Sequence, residues 1–183
     1  MVSIVPRASG GALLRSGARP GDDIWVSGEL GGAALALVHP GIDAAAQRLD
    51  EPEPRVGLGE RLRGVATSAI DVSDGFAQDL GHILERSRCG ARVDYDRLPR
   101  AAFWVQLRDP ILERRCVLGG GDDYELVFTA PQQARGAIEA IARDLGLALA
   151  RVGSIVRGEA TLTLHDAAGR PMTPEHGFDH FAR

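Results

Sequence analysis

Asp71-Val-Ser-Asp-Gly75 puts two carboxylates and a hydroxyl where a short strand-like run, 67–73, meets an amphipathic one. The end of a strand at a helix N-terminus is a natural anion and metal site, because first-turn amides point outward and the helix dipole favours negative charge there. Hard oxygens of this kind suit Mg²⁺, which binds through one or two carboxylates together with substrate phosphates. In a strand, Asp71 and Ser73 share a face, and Asp74 starts the helix. The same residues also read as an ordinary helix start, with Ser73 as N-cap and Asp74 as a first-turn acid. Pattern alone leaves both readings open.

A second stretch, Gly119-Gly-Gly-Asp-Asp123, precedes Tyr124-Glu-Leu. Consecutive glycines let the backbone approach a ligand closely. Adjacent acids at a strand entrance can take a metal ion or accept hydrogen bonds from an amine-bearing substrate, and three glycines exceed what a tight surface turn needs. Arg15 stands in the loop Arg15-Ser-Gly-Ala-Arg-Pro-Gly-Asp22, where a guanidinium can fork onto a phosphate. Alone, it reads equally as a solvated loop arginine. Gly28-Glu-Leu-Gly-Gly32 lacks GxGxxG spacing, and no GxxxxGK[ST] occurs, so these glycines read as close packing of a helix on a strand. The five histidines, at 39, 82, 165, 176 and 180, show no zinc spacing. Phe178 lies in a polar tail, where its ring either covers a flat heterocycle or packs back onto the domain.

The elements that must position these residues alternate. Residues 1–22 are rich in Gly and Pro and read as an extended opening segment. Residues 23–27 predict a strand, and 28–38 a glycine-rich turn entering an alanine-rich helix. Residues 50–64 read as a charged surface connection ending in a short helical piece. A strand over 67–73 leads to a helix over 74–88, with Phe76, Leu80, Ile83 and Leu84 on one face. Strands follow at 91–95 and 124–130. A helix over 132–145 carries Ala134, Ile138, Ile141 and Leu145 on one face, and strands at 150–156 and 160–165 complete the pattern. The alternation predicts an α/β (α+β) domain over residues 23–183, a mixed β-sheet with packed helices.

Of 183 residues 44% are apolar, enough for a real core. The net charge of −4 gives no basic footprint for nucleic acid, so a phosphate-bearing ligand has to be held locally by metal, amides or a few arginines. Cys89 and Cys116 form no CxxC pair and read as reduced thiols. The first residues do not read as a signal peptide, and no apolar stretch is long enough for a membrane span. The chain reads as a cytoplasmic protein.

Four stretches taken together carry a resemblance: RSGARPGD (15–22), SAIDVSDGFAQDLGHIL (68–84), GGGDDYELVFTAP (119–131) and GFDHF (177–181). In this order and spacing they resemble the C-terminal part of thiamine-monophosphate kinases, within the superfamily of aminoimidazole ribonucleotide synthetase. The resemblance runs over essentially the whole chain. It implies an ATP-dependent transfer of phosphate to thiamine monophosphate, giving the diphosphate, with Mg²⁺ as cofactor and ATP as co-substrate. It also implies Asp71 and Asp74 as magnesium ligands, Ser73 and Arg15 as ATP contacts, and Asp122 and Phe178 as contacts of the thiamine substrate. The family usually has Glu where this chain has Asp122, which reaches less far. A preceding ATP-handling domain, which supplies most metal ligands and the dimer contact, has no counterpart in these residues. The resemblance therefore implies a homodimeric complete enzyme and an inactive fragment. Two other readings remain: a superfamily enzyme with another phosphate acceptor, and a stand-alone binding or interaction domain of the same fold. Among the former, the hydrogenase maturation factor needs a C-terminal cysteine, whereas this chain ends Phe-Ala-Arg.

Overall fold

The computed structural model describes residues 11–172. Seven strands form one sheet: β1 (Asp23–Ser27), β2 (Ser68–Asp71), β3 (Gly90–Asp94), β4 (Leu126–Ala130), β5 (Leu149–Val156), β6 (Leu162–His165) and β7 (Pro171–Met172). Their order across the sheet is β2-β4-β1-β5-β3-β6-β7. Neighbours are antiparallel except β3 and β6, which run parallel. The sheet is thus mixed, as the alternation of patterns predicts.

Helices α1 (Gly32–Val38), α2 (Asp43–Asp50), α3 (Val56–Arg61), α4 (Phe76–Ser87), α5 (Phe103–Leu107), α6 (Pro110–Gly119) and α7 (Arg135–Leu145) cover it. One face carries the larger core. There Ile24, Val26, Ile70, Val127 and Val152 from the strands meet Leu35 of α1, the α4 stripe Phe76, Leu80, Ile83 and Leu84, and Val117 and Leu118 of α6. On the other face Trp25 and Phe128 pack with Leu58 of α3 and with Ile138 and Ile141 of α7. Central strand β1 is buried along its whole length, as two covered faces require.

Several boundaries differ from expectation, each for a local reason. Helix α4 begins at Phe76, its N-cap is Gly75 at φ 121°, and no side chain caps it there. Ser73 and Asp74 therefore precede the helix rather than opening it. On α7, Leu145 sits in the last turn and is exposed, while Ile138 and Ile141 face the core. Helices α2, α5 and α6 fill stretches for which the sequence predicts no element.

Candidate functional site

Both acidic motifs sit at the same corner of the sheet because β2 and β4 are antiparallel neighbours, with Asp71 opposite Leu126. The end of β2 and the approach to β4 therefore lie side by side. Beyond the ladder the pairing continues: Val72 donates its N–H to the Glu125 carbonyl at 2.8 Å, and Tyr124 donates to the Val72 carbonyl at 2.9 Å. Asp122 donates its N–H to the Ser73 carbonyl at 3.1 Å. The loops 71–75 and 119–125 are thereby one hydrogen-bonded unit.

Glycines make that contact possible. A Cβ on Gly121 would lie 2.3 Å from the Ser73 carbonyl oxygen, and one on Gly75 would lie 2.9 Å from the Gly119 carbonyl carbon. The close backbone approach read from the triple glycine is thus made, within the protein, to the partner loop. Asp122 and Tyr124 take φ values of 64° and 51°, left-handed conformations that cost a side-chain-bearing residue free energy. Such strain persists only where the surroundings enforce it, and it gathers at functional sites.

The strained turn brings three acids around one phenol. Tyr124 Oη donates to Asp122 Oδ1 at 3.3 Å. The Asp122 charge, then burial and that hydrogen bond, then the Asp71 and Asp74 charges raise the Tyr124 pKa above its ordinary value. Asp71 is half-buried and Asp74 exposed. Among the described residues neither carboxylate takes part in a hydrogen bond or ion pair. Two uncommitted carboxylates at a strand end, with a third close by, fit the hard-oxygen demand of Mg²⁺.

The backbone that carries Ser73 and Asp74 is held by a residue the sequence reading passed over. Asp79 Oδ2 accepts N–H bonds from Ser73 (3.0 Å), Asp74 (2.9 Å) and Gly75 (3.1 Å). Burial pushes its carboxyl above the usual range, working against those three donors, and the Asp74 charge adds to the rise. A signal was present in the sequence: Asp79 lies three residues after Phe76 and four before Ile83, so this acid falls on the apolar stripe of α4. Tyr124 was likewise passed over.

Asp123, read with Asp122 as one acidic pair, points elsewhere. Its carboxylate accepts from Gly31 N–H at 2.7 Å and Ala33 N–H at 3.3 Å, holding the start of α1. Burial pushes its pKa up to about 7. Glu125 is also structural. It is buried and takes a two-pronged bond from Arg55, with both N···O distances 2.7 Å. Gly28 lies against that carboxylate and Gly31 against α6, so the glycines of 28–32 do serve close packing.

Arg15 is exposed on the strip beside β2, where Leu14 accepts the Ala69 N–H through its carbonyl and Ser87 Oγ lies 3.5 Å from the Arg15 carbonyl. Among the described residues its guanidinium contacts none of the acids. Phe178 lies outside the described residues. Both cysteines are free and buried. No described helix is long and apolar enough to cross a membrane.

With this geometry, residues 19–165 match the family described as AIR synthase related protein, C-terminal domain. The chain belongs to that family. It is similar to thiamine-monophosphate kinase of Salmonella typhimurium, 41% identical over 95% of this chain and 57% of the relative. Thiamine-monophosphate kinase of Caulobacter vibrioides is 37% identical over 90% of this chain and 49% of its own length. Among solved structures, thiamine-monophosphate kinase from Stenotrophomonas maltophilia superposes with a TM-score of 0.77 at 43% identity, covering 87% of this chain and 54% of that one. A structure of AaThiL complexed with AMPPCP and TMP superposes with a TM-score of 0.73 at 27% identity, over 92% of this chain and 54% of that one. The chain thus spans about half the length of the relatives it matches.

Proposed function

We propose that this chain is the C-terminal part of an ATP-dependent thiamine-monophosphate kinase. The observation that carries the proposal is the union of the two acidic loops. The Asp122 N–H on the Ser73 carbonyl sets Asp71, Asp74 and Asp122 around Tyr124 at one corner of the sheet. Phosphoryl transfer depends on positioning and charge neutralisation more than on covalent chemistry, and the carboxylates of this corner would hold the cation that neutralises phosphate charge.

In this proposal Asp71 and Asp74 would hold Mg²⁺, and the ion would neutralise phosphate charge. The Ser73 hydroxyl contacts ATP from between the two acids. Arg15, on the exposed strip beside β2, would contact the ATP phosphates. Asp122 faces the thiamine end, oriented by the Tyr124 hydroxyl at 3.3 Å. Aspartate reaches one methylene less far than glutamate, so Asp122 meets the substrate through Tyr124 or an ordered water. Phe178 would cover the flat heterocycle. The remaining metal ligands and the contact that makes a homodimer would come from a preceding ATP-handling domain, so residues 1–183 alone are inactive.

The test is a chimera in which this chain replaces the matched segment of the Salmonella typhimurium relative. Formation of thiamine diphosphate from thiamine monophosphate and Mg-ATP is expected from the chimera and not from the chain alone. A folded chimera without activity would overturn the assignment.

A further inference from the structure

Arg92 and Asp94 on β3, and Thr163 and His165 on β6, alternate with Ala91, Val93, Leu162 and Leu164, which face the larger core. The polar set therefore stands on the opposite face of the sheet. Among the described residues the second core has no member from β3 or β6, so helices α3 and α7 leave this part of the face open. There Arg92, Asp94 and His165 line a recess of about 320 Å³, walled by Ser154 and the turn after β6.

The polar groups of the recess are unevenly committed. Asp94 and His165 are register partners on the parallel ladder. Arg97 Nε stands 3.0 Å from Asp94 Oδ2. Among the described residues, however, Asp94 Oδ1 and His165 Nδ1 are shut off from water without a hydrogen-bond partner. Buried polar atoms need partners. Asp166 is paired with Arg170 at 2.7 Å. Among the described residues the Arg92 guanidinium joins no hydrogen bond or ion pair, and its Nη2 would lie 3.9 Å from a Cβ on Gly169 in the turn. With both acids paired, the Arg92 charge is left uncompensated.

We propose that this recess binds inorganic phosphate. Arg92 forks onto the oxyanion, and His165 donates from Nδ1 in the tautomer that carries its hydrogen there. An ionised carboxylate only accepts, so Asp94 Oδ1 selects an oxyanion that still carries a proton. Just above neutral pH inorganic phosphate keeps one P–O–H group. Sulfate keeps none, and a phosphate ester has lost its last proton at about pH 6. The Asp94 side chain is 36% exposed, and a small rotation turns Oδ1 to the recess. Strands β1 and β5 separate β3 from the β2–β4 corner, so the recess stands apart from the acids of the kinase reading.

Isothermal titration calorimetry of this chain with inorganic phosphate, sulfate and methyl phosphate tests the site, just above neutral pH, at matched ionic strength and without Mg²⁺ or nucleotide. Phosphate is expected to bind about tenfold or more tightly than either of the others, the worth of one hydrogen bond to a charged group. Arg92→Ala should weaken phosphate binding by about tenfold or more for the same reason. In Asp94→Asn the side-chain amide can donate where the carboxylate could not, so sulfate should bind as well as phosphate. Arg92 is exposed and Asp94 half-buried, so both variants keep the core, and circular dichroism verifies that they fold. No phosphate binding by the parent, equal parent affinity for phosphate and sulfate, unchanged affinity in Arg92→Ala, or a preference that survives Asp94→Asn would overturn the site. Each of these results leaves the kinase reading standing, because that reading rests on Asp71 and Asp74 with Mg²⁺.

Discussion

A Cβ built on Gly121 would lie 2.3 Å from the carbonyl oxygen of Ser73. That approach is what allows the neighbouring Asp122 N–H to bond the same carbonyl. The Gly121→Ala substitution therefore has to push loops 71–75 and 119–125 apart. Overpacking of this kind costs about 1–3 kcal/mol. Denaturant melts should register that loss, and Mg²⁺ affinity should fall with it. An alanine variant with unchanged stability would mean that the two loops are not held at this distance.

Arg55 and Glu125 form a pair whose side chains are 12% and 4% exposed. Ser27 Oγ, itself buried, also donates to the carboxylate. Removing one member of a buried pair leaves an uncompensated charge, at a cost of about 3–5 kcal/mol. Arg55→Ala should lower stability by that order in chemical denaturation. A loss within about 0.5 kcal/mol, the range of neutral surface changes, would refute the buried pair.

Much of the fold is legible in the sequence. Strand β1 matches the expected 23–27 residue for residue, and the α4 stripe is buried as its spacing predicts. What escaped has physical reasons. Helix α6 buries Cys116, Val117, Leu118 and Gly119 in one consecutive run at its end, so it carries no helical stripe. Helix α2 buries only Ala45. At the site, the acids of the two motifs stand out by type and spacing. Their division of labour does not, because it depends on the left-handed turn at Asp122 and Tyr124, which sends Asp123 back to α1. Ser73-Asp74 reads locally as a helix start, yet Asp79 satisfies those amides from within α4, a contact fixed only when the loop closes.

Asp123 gives the stability a pH dependence. Burial raises its pKa from an ordinary 3.8 to about 7 in the fold. The fold therefore binds this proton more tightly than the open chain does. The contribution to stability is greatest below the ordinary value and is lost as pH rises through about 7. Asp123→Asn removes that titration. The melting temperature of the parent chain minus that of the variant should grow as pH falls from neutral to acidic. A difference that stays flat across that window would contradict a raised Asp123.

The central claim is that Asp71 holds Mg²⁺ for phosphoryl transfer, and Asp71→Asn in the chimera described above tests it most directly. Asparagine keeps the size and removes the charge. Steady-state rates across a Mg²⁺ titration, with thermal melts alongside, separate a metal role from a structural one. Loss of a direct ligand should cost at least the 10–100-fold or so in activity that loss of an outer-shell partner costs. The melting temperature should hold, and high Mg²⁺ should restore part of the rate. A variant with the parent kcat and the same Mg²⁺ dependence would contradict the account.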